Sequence, residues 1–367
     1  MTESEKKMTE EIKSEEFIVT QAPDTMSSQY KSVCMRIGFF VTVCFLMRSI
    51  LPFAIAPLYE FLFSRLDTFA LYGLQLIISA LICQIIPAVI VVFLLRYGLD
   101  EIRESYRRPK THIKAVSNFP ALYGFGMTVN LLTITVIQLL TKQGDINESF
   151  NPISEVQPPT LSAALLLFFL IAVIAPVSEE FIFRGAVLNA LKPFGNGLAV
   201  FVSAFLFGLF HGNFSQFFYA FALGIGFGYI AIVTKSIYTT TVLHALFNSI
   251  GAIFIIFSTT NAVNGYLGGN MSETPDGEAF VLTLFAIFCI AVLLTAFIGF
   301  ILFIKKLVHI KRYRLPPVWT EISNGRKLVR LIVSVPMLFA LLLVVDAFGG
   351  NFISVALINL IKGAVNG

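Results

Sequence analysis

Long apolar runs separated by short polar stretches dominate the chain, and a helix crossing the hydrocarbon core of a bilayer needs about twenty such residues. On that criterion nine spans are expected, at roughly 37–60, 70–95, 119–141, 160–181, 197–212, 216–234, 238–258, 279–304 and 329–346. The fifth is short, and the fourth runs on to about Leu191. The expected fold class is all-α, a polytopic transmembrane helical bundle of about eight or nine spans. Residues 1–30 are polar, mostly acidic and poor in aromatics, which predicts a mobile N-terminal tail without a cleavable signal peptide. The rest divides into N-terminal transmembrane helices (31–158), a central helical core (159–258) and C-terminal transmembrane helices (259–367). The first span carries Arg48 and Pro52. Either it is kinked with Arg48 turned inward, or the membrane part begins later.

Charge in the connecting segments sets the orientation. Arg96–Lys114 holds six Lys/Arg and Lys305–Arg330 holds eight, whereas Thr259–Glu278 has none, 142–159 has only Lys142 and 61–69 only Arg65. With nine spans, a cytoplasmic N-terminus places every basic loop inside and every poor one outside. An integral multi-pass protein of the cell membrane with its C-terminus outside is therefore expected, and a further weak apolar segment at Asn351–Ile361 could lie in the interface. Composition agrees: 56% of the residues are hydrophobic and only 13% charged, against about a quarter charged in soluble domains. Of the 367 residues, 38 are Phe, which suits lipid-facing helices. The four cysteines (Cys34, Cys44, Cys83, Cys289) have no paired spacing and read as small buried hydrophobes. Nothing suggests a nucleic-acid partner, and the basic loops are explained by topology and by contact with the lipid bilayer.

Against this background the polar residues inside the hydrophobic half stand out. Fifteen uncharged residues, Leu161–Ala175, lead into Pro176–Gly185, where Glu179, Glu180 and Arg184 fall within six positions. A charged group at the bilayer centre costs roughly 2.5–3.5 kcal/mol, so three of them need partners or a polar cavity. On a helix Glu180 and Arg184 share a face, with the acid N-terminal. Glu179 is turned by about 100° and left free to face a cavity. His211 ends the fifth apolar segment, and His244 and Asn248 are an i, i+4 pair in the seventh. The Lys192–Gly197 segment reads as a helical hairpin turn. Counted from it, Glu179 and His211 both lie roughly 24 Å away and so at similar depth. His244 lies only about 14 Å from its own turn at Lys235, so a tilt, a break near Pro176 or a re-entrant turn at Gly212–Asn213 is needed to align all three. Gly224, Gly226 and Gly228 read as a close-packing surface. Asn147, Asn213 and Asn270 begin Asn-x-Ser triplets that matter only in a glycosylating compartment.

Taken together, Glu179-Glu180-x-x-x-Arg184, Phe207-x-x-x-His211 and His244-x-x-x-Asn248 resemble the three motifs of the CPBP family. That family contains the CAAX-prenyl endopeptidases and the Abi bacteriocin-processing or immunity proteins. The likeness covers about Pro176–Gly251. It implies a catalytic helical core in 159–258 and an intramembrane endopeptidase acting on a peptide or membrane-associated protein. By the resemblance, Glu179 is the base that activates water, Glu180 and Arg184 shape the motif, His211 positions the water, and His244 with Asn248 stabilises the oxyanion. Zinc stays open as a cofactor, since Glu179, His211 and His244 form a two-His, one-Glu set, although no His-Glu-x-x-His is present. Two other readings of the same residues are a non-proteolytic immunity protein that binds a bacteriocin or its target, and a small-solute or proton transporter.

Overall fold

The computed structural model describes residues 23–63, 65–141, 160–260, 276–309 and 322–348, with positions 262, 263, 265 and 315 between them. Among these residues there are helices and no strands. Helix α1 (Pro23–Phe63) runs without a break in helical structure through Arg48 and Pro52. It also begins inside the segment expected as tail, with Tyr30 buried. The remainder of that tail, residues 1–22, lies outside the described residues, as do Asn147, Asn270 and Asn351–Ile361. Next come α2 (Thr68–Leu95), two short helices, α3 (Leu99–Ser105) and α4 (His112–Val116), and then α5 (Phe119–Thr141). The core consists of α6 (Leu161–Phe194), α7 (Asn196–Phe210), α8 (Phe214–Thr234) and α9 (Tyr238–Ser258). Helices α10 (Asp276–Val308), α11 (Asn324–Ile332) and α12 (Val335–Phe348) complete the bundle.

Among the described residues seven helices are long and apolar enough to cross a membrane, or eight if α11 and α12, bent by 71° to each other, count as one broken span. The protein is thus an integral membrane bundle, with two corrections to the nine-span count. The expected fifth span is α7, only 15 residues long, or roughly 22 Å at 1.5 Å per residue, shorter than the hydrocarbon core. The expected ninth span is the bent pair, broken where α11 ends and Ser334 turns back on Leu331. Lipid-type exposure is plain on α10, which presents Phe280, Leu293, Phe297 and Ile298 outward. Cys34 and Cys44 are buried as expected, but Cys83 is exposed.

The basic ends gather at one end of the bundle and are stitched together by hydrogen bonds. Lys327 Nζ, almost fully buried, donates to Phe194 O at 2.6 Å and so docks α11 on the α6–α7 turn. The segment from Tyr97 to His112 crosses the start of α9. Ile237 N donates to Ser105 O (2.8 Å), Ser236 Oγ to Arg107 O (2.8 Å), and His112 Nδ1 meets Thr239 Oγ1 at 3.1 Å. From the same segment the Tyr106 hydroxyl donates to Val177 O at 3.3 Å, only two residues before Glu179. Ile237, at the start of α9, lies beside Gly185, where a Cβ would meet its Cδ1 at 3.5 Å, ten residues up α6 from the turn at Gly195, and the 97–112 strap fills the step between the two turns. That offset removes the depth mismatch expected for His244.

Candidate active site

Helix α6 is not a uniform α-helix. Wide π turns at Leu170–Ile174 and Phe181–Val187 flank a short α-helical piece, Ala175–Glu180. Such turns strand backbone carbonyls, and in a membrane a stranded carbonyl needs a donor. Ala175 N bonds Leu170 O across the first π turn. In that register the next donor, for Ile171 O, would be the amide of residue 176, which is Pro176 and has no N–H. Asn248 supplies the missing donor: its Nδ2 bonds Ile171 O at 2.9 Å. In the second π turn Ser203 Oγ, from α7, donates to Phe183 O at 2.7 Å. The two wide turns thus tie α6 to α9 and to α7, one on each side of the glutamates.

Between them the charged residues assemble. Glu180 and Arg184 are both fully buried and paired, Arg184 Nη1 donating to Glu180 Oε1 at 2.9 Å. The guanidinium lies 4.3 Å from the Phe207 ring centre and 5.4 Å from that of Phe227, a cation–π sandwich between α7 and α8. Gly224 permits this approach: a Cβ there would lie 2.9 Å from Ala204 Cβ and 3.2 Å from the Phe207 ring. Packing is therefore the role of the glycine stretch, as expected. Among the described residues Arg184 Nε and Nη2 and Glu180 Oε2 have no hydrogen-bond partner, so the cluster keeps buried polar capacity for water or substrate.

His244 links the two acids. Its Nδ1 lies 3.0 Å from Glu180 Oε1 and its Nε2 lies 3.6 Å from Glu179 Oε2. A carboxylate can only accept, so Nδ1 carries the proton in the Glu180 bond and Nε2 is the nitrogen turned toward Glu179. The 3.6 Å gap is too long for a hydrogen bond. Glu179 retains 22% side-chain exposure where Glu180 has none. The expected division of labour is visible here: one acid locked by arginine, the other left accessible.

His211 joins this group less directly. Its Nδ1 donates to Phe207 O at 2.9 Å, which leaves Nε2 as an acceptor. Its ring packs edge-on against Phe207 at 5.0 Å between centroids, and His244 packs on the same Phe207 ring at 5.5 Å. The described contacts thus place both imidazoles around one phenyl ring, with His211 bonded to neither glutamate. Asn248 commits one of its two amide protons to Ile171 O. Asn213 has a role of its own, its side chain capping α8 through Gln216 N at 2.9 Å.

The zinc set fits poorly. Glu179 Oε2 and His244 Nε2 face each other, but His211 does not complete a third position. Among the described residues no group of three or more His, Cys, Asp or Glu side chains is spaced for a metal ion. Two residues that sequence reading passed over, Ser203 and Tyr106, hold backbone carbonyls of the glutamate helix; only their polarity within or beside apolar segments could have marked them.

Residues 161–250 match the family model described as Type II CAAX prenyl endopeptidase Rce1-like. That stretch contains Glu179, Glu180, Arg184, His211, His244 and Asn248, and it supports the CPBP/CAAX protease assignment and an intramembrane endopeptidase in general. No curated protein and no solved structure matches the chain.

Proposed function

We propose, from the premise that residues 161–250 carry an Rce1-like CAAX endopeptidase domain, that this protein hydrolyses a peptide bond of a membrane-associated peptide or protein with water activated by Glu179. The observation that carries this reading is the pairing of a fully buried, arginine-bound Glu180 with a partly accessible Glu179, both facing His244. Glu179 in its ionised form takes a proton from the attacking water. The proton passes toward the leaving amine by way of Glu179 or His244 Nε2. His211 Nε2 accepts a hydrogen bond from the same water and holds it for attack. In the imidazolium form His244 offers Nε2–H, and Asn248 its second amide proton, to the oxygen on which charge develops. Glu180 and Arg184 hold His244 in the required orientation. Because the donors of Glu179, His211 and His244 do not converge on one ion, no step is routed through zinc. The basic segments are read as cytoplasmic, which puts the N-terminus inside and the protein in the cell membrane.

The test compares cell peptidomes and purified-protein cleavage for wild type and Glu179→Gln. The probes are a quenched fluorescent peptide with a farnesylated C-terminal Cys-Ala-Ala-Xaa sequence and its unprenylated counterpart. Loss of cleavage by about a hundredfold or more is expected for Glu179→Gln, with the protein still inserted and helical. Retained cleavage would remove Glu179 from the role of base. An immunity phenotype that survives Glu179→Gln would favour the non-proteolytic reading instead.

A further inference from the structure

Arg48 lies on α1, more than a hundred residues before the Rce1-like match, and its charge sits in a transmembrane span. Its significance follows from where α7 stops. The end of α7 lies roughly 22 Å from the α6–α7 turn, and its last carbonyls have no following helical turn to bond them. Each of them has a donor. The final turn tightens, with His211 N bonding Gly208 O at 3.1 Å and Gly212 N bonding Leu209 O at 3.0 Å. That tightening frees Phe207 O, which the His211 ring takes at 2.9 Å. Asn213 Nδ2 serves His211 O at 3.1 Å. Phe210 O is served from a distant helix: Arg48 Nη1 donates to it at 2.7 Å, and Arg48 Nη2 reaches His211 O at 3.4 Å. A cation at a helix C-terminus also complements the negative end of its dipole. The chain is built around this contact. Gly212 has φ +70°, and a Cβ there would lie 2.7–2.9 Å from the guanidinium atoms of Arg48.

We propose that Arg48 is a positioning residue for the site, fixing the C-terminal end of α7 and thereby the orientation and tautomer of His211. The role of His211 in turnover rests on the hydrolase reading above; its orientation does not. The experiment uses the full-length protein in nanodiscs with 15N-labelled histidine, in which only four side chains (His112, His211, His244, His309) give signals. Wild type is expected to show His211 as a neutral ring protonated at Nδ1. In Arg48→Gln the His211 signals move toward those of a ring exchanging between tautomers, while His112 and His309 stay in place. Gly212→Ala, which displaces the guanidinium, is expected to give the same change with Arg48 intact. Arg48→Lys, keeping the charge but not the two-pronged donor, falls between, and these two variants decide the matter should Arg48→Gln fail to fold. Unchanged His211 signals in a folded Arg48 or Gly212 variant overturn the proposal. With the peptide probes above, kcat falls about tenfold to a hundredfold in Arg48→Gln, with KM nearly constant. Absence of wild-type cleavage would defeat the hydrolase reading and leave the histidine spectra to judge Arg48.

Discussion

Removing the Arg184 guanidinium tests whether the Glu180–Arg184 pair is the structural half of the site. Both side chains have zero exposure and meet at 2.9 Å. In Arg184→Met the Glu180 carboxylate keeps His244 Nδ1 at 3.0 Å but loses its permanent cation. A buried charge stripped of its partner costs about 3–5 kcal/mol. The lost cation–π contacts with Phe207 and Phe227 are worth about 0.5–2 kcal/mol and fall within that range. Adding Glu180→Gln removes the stranded charge, so the double variant is expected to recover about 2 kcal/mol relative to Arg184→Met. The assay is equilibrium unfolding of the four proteins of the cycle, titrated with SDS in mixed micelles and followed by far-UV circular dichroism. A single variant within about 1 kcal/mol of wild type, or a double variant as unstable as the two singles added together, refutes the argument. Either result would mean that water reaches Glu180 and already pays its desolvation.

The carbonyl donors of α6 give two further expectations. Asn248→Ala leaves Ile171 O without its side-chain donor and should cost about 0.6–1.7 kcal/mol in the same unfolding assay; no change would show that the π turn satisfies itself. Ser203→Ala removes the second donor to Phe183 O, which Leu188 N also serves, and should cost about 0.5–1.5 kcal/mol, while Ser203→Thr should restore stability if the neighbouring helices admit a methyl group. A chelator should leave peptide cleavage unchanged, because the donor set is incomplete for a resident ion; loss of activity restored by zinc would show that the site rearranges to bind one.

Much of the site could be read from the chain because charges in an apolar helix are expensive enough to announce themselves. Glu179, Glu180 and Arg184 were separable into a locked pair and a free acid by helical spacing alone, and the structure keeps that division. His244 was harder. Straight-helix arithmetic set it too shallow, since nothing in the sequence reports that the Tyr97–His112 strap occupies the step between the α6–α7 turn and the start of α9. The nine-span reading missed two details for a related reason. An apolar run fixes the composition of a helix but not its completeness, so α7 passed for a span and the α11–α12 break went unseen. The Asn248 assignment shows a further limit: a motif position suggests chemistry, while its contact with Ile171 O depends on a π turn that has no sequence signature beyond Pro176.

The same accounting explains why the irregular parts of this bundle surround the glutamates. A helix that merely crosses a bilayer satisfies every backbone group internally and can be built from leucine and phenylalanine, as α10 is. Bringing Glu179, His211 and His244 together involves a helix with two wide turns and another that stops after 15 residues, and such irregularities leave carbonyls that need donors. Asn248 and Arg48 are such donors, to Ile171 O and Phe210 O, while Ser203 and Tyr106 add second bonds to Phe183 O and Val177 O, which Leu188 N and Phe181 N already serve. Their polarity therefore reflects the construction of the site as much as its chemistry. Two of them, Tyr106 and Arg48, come from outside the 161–250 match. On this argument the isolated core, residues 161–250, should insert as helices yet fail to hold His211 in one tautomer. A core that shows the full-length histidine spectrum by itself would reject the dependence on the N-terminal helices.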